Sequence, residues 1–146
     1  MAVELGERND IEIIATDVSP AALDVAARNR GTLSLDKRVQ LVRADLLVGV
    51  DGPFDLVLAN LPYLRLDQRD PSIAREPEEA LFAGKDGFEL YRKLFDDVGR
   101  VLANAGLIVA EIDPSQAEFG ADYAQRVTVR QDAWGRDRFL LVGDWA

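Results

Sequence analysis

Asn60-Leu61-Pro62-Tyr63 follows directly on the apolar run FDLVLA and closes it with an amide, a backbone carbonyl, a proline and an aromatic ring. The Asn60 side-chain oxygen and the Leu61 carbonyl are neighbouring acceptors, one for each proton of a planar NH₂ group. Pro62 fixes its φ near about −65° and so stiffens the turn that carries the Leu61 carbonyl. Tyr63 offers a flat face against which such a group can lie. The set reads as a grip for a planar amine that is to be alkylated. The plainer reading is a turn, because Asn and Pro both terminate strands readily.

Two carboxylates stand in comparable places. IEIIATD (11–17) ends on Asp17, VQLVRAD (39–45) ends on Asp45, and FDLVLAN (54–60) ends on Asn60. In open parallel sheets, ligands bind beyond the carboxyl ends of the strands. An acidic residue at that point accepts hydrogen bonds from ribose hydroxyls, which suits Asp17. Asp45 is placed to accept from the exocyclic amine of an adenine, with Leu46 packing on the ring. Together they describe an adenosine pocket, common to nicotinamide and S-adenosylmethionine chemistry, and the Asn60–Tyr63 turn favours the second.

The elements that must position these groups alternate between strands and helices. After the first strand, Ser19 is an N-cap and Pro20 the first helical residue, and Leu23, Ala26 and Ala27 fall at the spacing of a buried stripe. VDGP is the turn into the third strand, and 64–87 is a long polar loop of the kind that is usually functional in a compact domain. A helix begins near Asp86, with Phe88, Tyr91, Phe95, Val98 and Leu102 as its apolar face and Gly106 as its left-handed terminator. LIVAEID (107–113) is a fourth strand, a short helix follows it, and RVTVRQDAW and RFLLVGDW form a hairpin around Gly135 with Trp134 and Trp145 as packing residues. The expected fold is α/β: a Rossmann-like, mostly parallel sheet covered by helices, ending in an antiparallel hairpin.

Composition narrows the chemistry. The 146 residues, 48% hydrophobic and 29% charged, suit a single globular domain, 1–146. With neither cysteine nor histidine, the commonest metal ligands and general base are lacking, so the expected metal is none. Acids outnumber bases 26 to 17 for a net charge of −9, which argues against nucleic acid as a direct partner. No apolar run approaches the roughly 20 residues that span a bilayer, and no secretory signal is visible, so the expected location is cytoplasmic with no membrane partner.

Taken in order, ATDVSPAALDVAARN, RADLL, FDLVLANLPY, REPEEALFAGKDGFELYRKL and RVTVRQDAWGRDRFLLV resemble the catalytic domain of the HemK-type glutamine methyltransferases. The resemblance implies a class I methyltransferase fold and S-adenosylmethionine as cofactor. The implied substrate is the Gln side-chain amide in the GGQ loop of a peptide-chain release factor. Asn60, Leu61, Pro62 and Tyr63 would then hold that amide, Asp17, Asp45, Leu46 and Asn60 the cofactor, and Glu76 would shape the substrate channel. Gln116 resembles a family glutamine, with Asp113 where a glycine is usual, and takes no chemical role.

The family motif is Asn-Pro-Pro-Tyr, so Leu61 departs from it while still supplying a carbonyl. Adenine amino-methyltransferases share the Asn-x-Pro-Tyr logic and are the alternative, together with a non-catalytic fragment of the fold. The family's N-terminal helical domain, its first strand and its Gly-rich loop have no counterpart, so the catalytic domain is expected to be truncated. That strand belongs between 11–17 and 54–60. The expectation is a rearranged sheet, a strand exchanged with a second copy in a homodimer, or marginal stability.

Overall fold

The computed structural model describes residues 11–64, 81, 86–118 and 127–143. The chain divides into two compact units, Met1–Val50 and Asp51–Ala146.

In the first unit, β1 (Ile13–Asp17) and β2 (Val39–Arg43) pair in parallel, and α1 (Pro20–Thr32) connects them. The Ser19 hydroxyl accepts the Ala22 N–H at 3.4 Å and Pro20 opens the helix, as the sequence leads one to expect. Arg30 ties the last turn of α1 to β2, donating to the Val39 carbonyl at 3.1 Å and pairing with Asp36 at 3.1 Å. No residue of α1 is fully buried. The Leu23–Ala26–Ala27 stripe is half-buried rather than buried, because a two-stranded sheet is too narrow to cover a helix of 13 residues.

In the second unit, β3 (Phe54–Asn60), α2 (Glu89–Val98), β4 (Leu102–Glu111), a 3₁₀ turn (Pro114–Gln116), β5 (Val127–Gln131) and β6 (Asp137–Gly143) follow in order. The sheet order is β3-β4-β6-β5, with β3 and β4 parallel and β6 antiparallel to both its neighbours. Its core joins Phe88 and Tyr91 to Ala110, Ile112, Ala117 and Leu140. Each large side chain buried there contributes about 1.5–3 kcal/mol. Among the described residues, no helix is long and apolar enough to cross a membrane.

Three expectations change. The helix stops at Val98, so Leu102 lies on β4 rather than on the helical face. Gly106 is not a left-handed helix end: it sits inside β4, where an added Cβ would stand 2.8 Å from the Phe54 carbonyl oxygen. Asn-Ala-Gly suits a helix end and a bulge equally well, and here the ladder jumps from Phe54↔Leu102 to Leu56↔Leu107, leaving the run between as a bulge. Trp134 does not pack within the hairpin either. It is 82% exposed at the tip, where Asp132 Oδ1 accepts the N–H of Trp134 (2.9 Å) and of Arg136 (3.0 Å) and Gly135 turns at φ +76°. Trp145 lies outside the described residues.

The described strands form two separate sheets, one in each unit. Among the described residues, β1 has β2 as its one ladder neighbour, and β3 is the edge of its own sheet. Leu56 and Leu58 on β3 remain 48% and 43% exposed.

Candidate active site

Taken each by itself, both units carry expected site residues at the carboxyl ends of their parallel strands. In the first, Asp17 closes β1 and Asp45 follows β2, and the Ala44 N–H donates to the Asp17 carbonyl at 3.1 Å, extending the ladder by one step. Both carboxylates are exposed. Asp17 Oδ1 accepts the Ser19 N–H at 2.8 Å, which orients the carboxylate and leaves its other oxygen for a guest. Leu46 is half-buried and holds φ 52°, a left-handed conformation that costs a leucine roughly 1–2 kcal/mol. Such strain is tolerated where the surrounding structure over-determines it. Here the Val48 N–H donates to the Asp45 carbonyl (3.0 Å) and the Val50 N–H to the Leu47 carbonyl (3.1 Å), closing a tight turn that presents Leu46.

In the second unit, Asn60 is the last residue of β3, in register with Glu111 at the last position of β4. Asn60 is exposed, and among the described residues no hydrogen bond engages its side-chain amide. Leu61, Pro62 and Tyr63 are half-buried, with Leu61 and Tyr63 packed against the core cluster. Asn60 is thus exposed, while Leu61 and Tyr63 beside it are anchored on the core. Glu76 lies outside the described residues.

What fixes this turn comes from residues that sequence reasoning gave no role at the site. Tyr91, fully buried on α2, brings its hydroxyl 3.2 Å from the Leu61 carbonyl oxygen and closer still to that of Glu111. Burial, then the neighbouring Tyr63 and Glu111, push its phenol well above the ordinary value, so it stays a donor. Gly87, at φ +74°, lies so close to the turn that an added Cβ would stand 2.3 Å from the Tyr63 carbonyl oxygen. Gln116, only 6% exposed, holds Gly87 in place: its Nε2 donates to the Gly87 carbonyl at 2.7 Å and its Oε1 accepts the Asp113 N–H at 2.9 Å. The aromatic stripe and the glutamine were both visible in the sequence, but nothing in their spacing links them to a turn so far away along the chain.

The rest of the surround is charged but peripheral. The Arg138 guanidinium approaches Glu111 Oε1 and Asp132 Oδ2 at 3.9 Å each. Arg92 bonds Asp86, which also accepts the Phe88 N–H at 3.0 Å, and the two together hold the Asp86 carboxyl below its usual range.

The chain has relatives among known proteins. No family model matches. A release factor glutamine methyltransferase of Deinococcus radiodurans is 38% identical over 136 residues, which is 88% of this chain and 48% of that protein. A ribosomal protein uL3 glutamine methyltransferase of Neisseria gonorrhoeae is 31% identical over 136 residues, 91% of this chain and 46% of that protein. In fold, the chain is similar to a ribosomal protein L11 methylase of Lactobacillus delbrueckii subsp. bulgaricus, with a TM-score of 0.63 and 20% identity over 96% of this chain and 61% of that one. The chain spans about half the length of the curated relatives it matches. In sequence the chain is thus similar to glutamine methyltransferases over about half of their length, and in fold it is similar to a methyltransferase.

Proposed function

We propose that this chain is the catalytic part of a protein glutamine N-methyltransferase that uses S-adenosylmethionine and acts on the Gln side chain of a release-factor GGQ loop. The observation that carries the reading is Asn60: an outward-facing amide at the carboxyl end of a parallel strand, followed by a tethered carbonyl and a half-buried Tyr63. The donor set of the first unit fits the cofactor, since Asp17 and Asp45 are exposed acceptors for ribose hydroxyls and an adenine amine, beside the half-buried Leu46.

Bound S-adenosylmethionine supplies an electrophilic methyl on its sulfonium. An amide nitrogen is a poor nucleophile, so the residues of the chain act chiefly by position. The Asn60 side-chain oxygen and the Leu61 carbonyl accept the two N–H bonds of the substrate amide, and Pro62 keeps that carbonyl from swinging away. Tyr63 lies against the flat amide and fixes the face it presents. Methyl transfer from the cofactor, when bound, would leave positive charge on the substrate nitrogen, beside the two acceptors. Both acceptors then strengthen, favouring the transition state over the ground state. The surplus proton leaves to solvent.

The same reading gives the edge of β3 a partner. A strand exchanged with a second copy would pair the edge of β3, which has β4 as its one ladder neighbour among the described residues, and cover Leu56 and Leu58. Sedimentation equilibrium tests this part, and a monomer over the whole concentration range removes it.

Calorimetric titration with S-adenosylmethionine, then mass spectrometry of a GGQ peptide, tests the function. Binding and a gain of one methyl on Gln are expected. Asn60→Ala should abolish transfer with the fold intact, and transfer surviving at the wild-type rate overturns the role of Asn60. A uL3-derived glutamine peptide and an adenine-containing oligonucleotide run in parallel; methylation of either one alone replaces the substrate. No binding of cofactor leaves a fold without the activity.

A further inference from the structure

We propose that Tyr91 is a positioning residue for the Leu61 carbonyl, holding that oxygen at the tip of β3 so that the substrate amide can donate to it. The inference rests on the reading above. Tyr91 sits on α2, yet its hydroxyl meets the backbone carbonyls of Leu61 and Glu111, residues 30 and 20 positions away in the sequence. These are the carbonyls at and just beyond the carboxyl ends of β3 and β4, the edge where Asn60 stands. One hydroxyl therefore clasps the tips of two parallel strands.

A buried phenol needs one partner, and the Glu111 carbonyl alone would satisfy it. The second carbonyl is what marks a positioning role. A hydroxyl has one proton to give, and here two carbonyl oxygens lie within its reach. That proton is shared between the two carbonyls, so among the described residues the Leu61 oxygen keeps a lone pair for an incoming donor. The ring that carries the hydroxyl is itself immobilised, stacked on Phe88 at 4.9 Å between centroids and 20° between planes. Pro62 sits on the other side of the same peptide group, so the carbonyl is constrained from both directions.

Tyr91→Phe removes the hydroxyl and keeps the ring. The expected result is a fall in kcat of about ten-fold, since sub-ångström misplacement of a catalytic acceptor costs on that scale. KM for the GGQ peptide and the affinity for S-adenosylmethionine should change less than about two-fold, because Asn60 and the first unit are untouched. Val129→Ala, which loosens the same core from β5, is the matched control and should leave kcat alone. Equal loss in both variants, or an unchanged kcat in Tyr91→Phe, overturns the proposal.

A second readout does not depend on turnover. Leu-Pro occurs once in the sequence, so ¹³C-carbonyl leucine with ¹⁵N-proline reports Leu61 alone. Its carbonyl resonance should move upfield in Tyr91→Phe. Placing 3-fluorotyrosine at position 91 makes the hydroxyl a stronger donor and should move the resonance downfield, which keeps the test alive if the Phe variant does not fold. If the wild type methylates no peptide, the functional reading fails and the resonance decides Tyr91 by itself: no movement in either protein overturns the assignment.

Discussion

Replacing Gly87 by alanine asks how closely the loop before α2 is fitted to the Asn60–Tyr63 turn. Two costs can be worked from the geometry. Gly87 has φ +74°, and holding an alanine in that left-handed region costs about 1–2 kcal/mol. The new Cβ would also stand 2.3 Å from the Tyr63 carbonyl oxygen, about 1 Å inside ordinary contact. That obstacle is backbone, and Gly87 itself is held by Gln116, so neither side can swing away as a flexible side chain would. Relieving the clash adds about 1–3 kcal/mol of the kind that overpacking costs, for a total loss of about 2–5 kcal/mol.

Gly135→Ala separates the two costs. Its φ is +76°, nearly the same, but nothing lies within 4 Å of the added Cβ. It should lose only the backbone share, about 1–2 kcal/mol. Urea denaturation of the two variants measures the difference directly. If Gly87→Ala folds, its displaced turn should also slow methyl transfer, by up to about 100-fold for a shift near 1 Å, while Gly135→Ala transfers normally. Equal stability and equal activity in the two variants would show that the turn is not held as described.

Two pH effects follow from the groups around α2. Asp86 is held below the usual carboxyl range by the Arg92 hydrogen bond and then by the Phe88 N–H, so its contribution is present above the unfolded carboxyl value and disappears as pH falls through the folded one. The site is largely exposed and screened, so Asp86→Asn should cost only a few tenths of a kcal/mol at neutral pH and flatten the acid limb of a melting-temperature series. Tyr91 behaves in the opposite sense. Burial raises its phenol, so folding stability should fall as pH rises past about 10, where the unfolded phenol ionises first. Ultraviolet titration should show this tyrosine ionising only with unfolding, and Tyr91→Phe should remove that part of the alkaline slope.

Where the candidate site residues lie in the fold was legible in the sequence to the extent that it follows from local rules. An apolar run ending in Asn-Leu-Pro-Tyr predicts an acceptor at a strand end, and the structure puts Asn60 there and exposed. Asp17 and Asp45 were legible for the same reason. The support beneath them was not. Tyr91 reads as a core aromatic at helical spacing, and it is one, but its hydroxyl partners are fixed by how α2 lies across β3 and β4. Gln116 looked idle because its partner, Gly87, is 29 positions away. Gly106 was misread because a glycine that relieves crowding between strands and one that ends a helix leave the same local signature. Trp134 shows the converse: a large apolar side chain need not be packed, and at a tip held by Asp132 it is not.

The uneven pairing of β3 with β4 bears on how this architecture tolerates change. Between Phe54↔Leu102 and Leu56↔Leu107, one residue of β3 faces four of β4, and beyond that point the strands march in step from Leu56↔Leu107 to Asn60↔Glu111. The slack works like an expansion joint. A residue added or removed between Ala103 and Ala105 would be absorbed there instead of sliding Glu111 past Asn60. The connection from α2 can therefore drift in length while Asn60 keeps its alignment with Glu111.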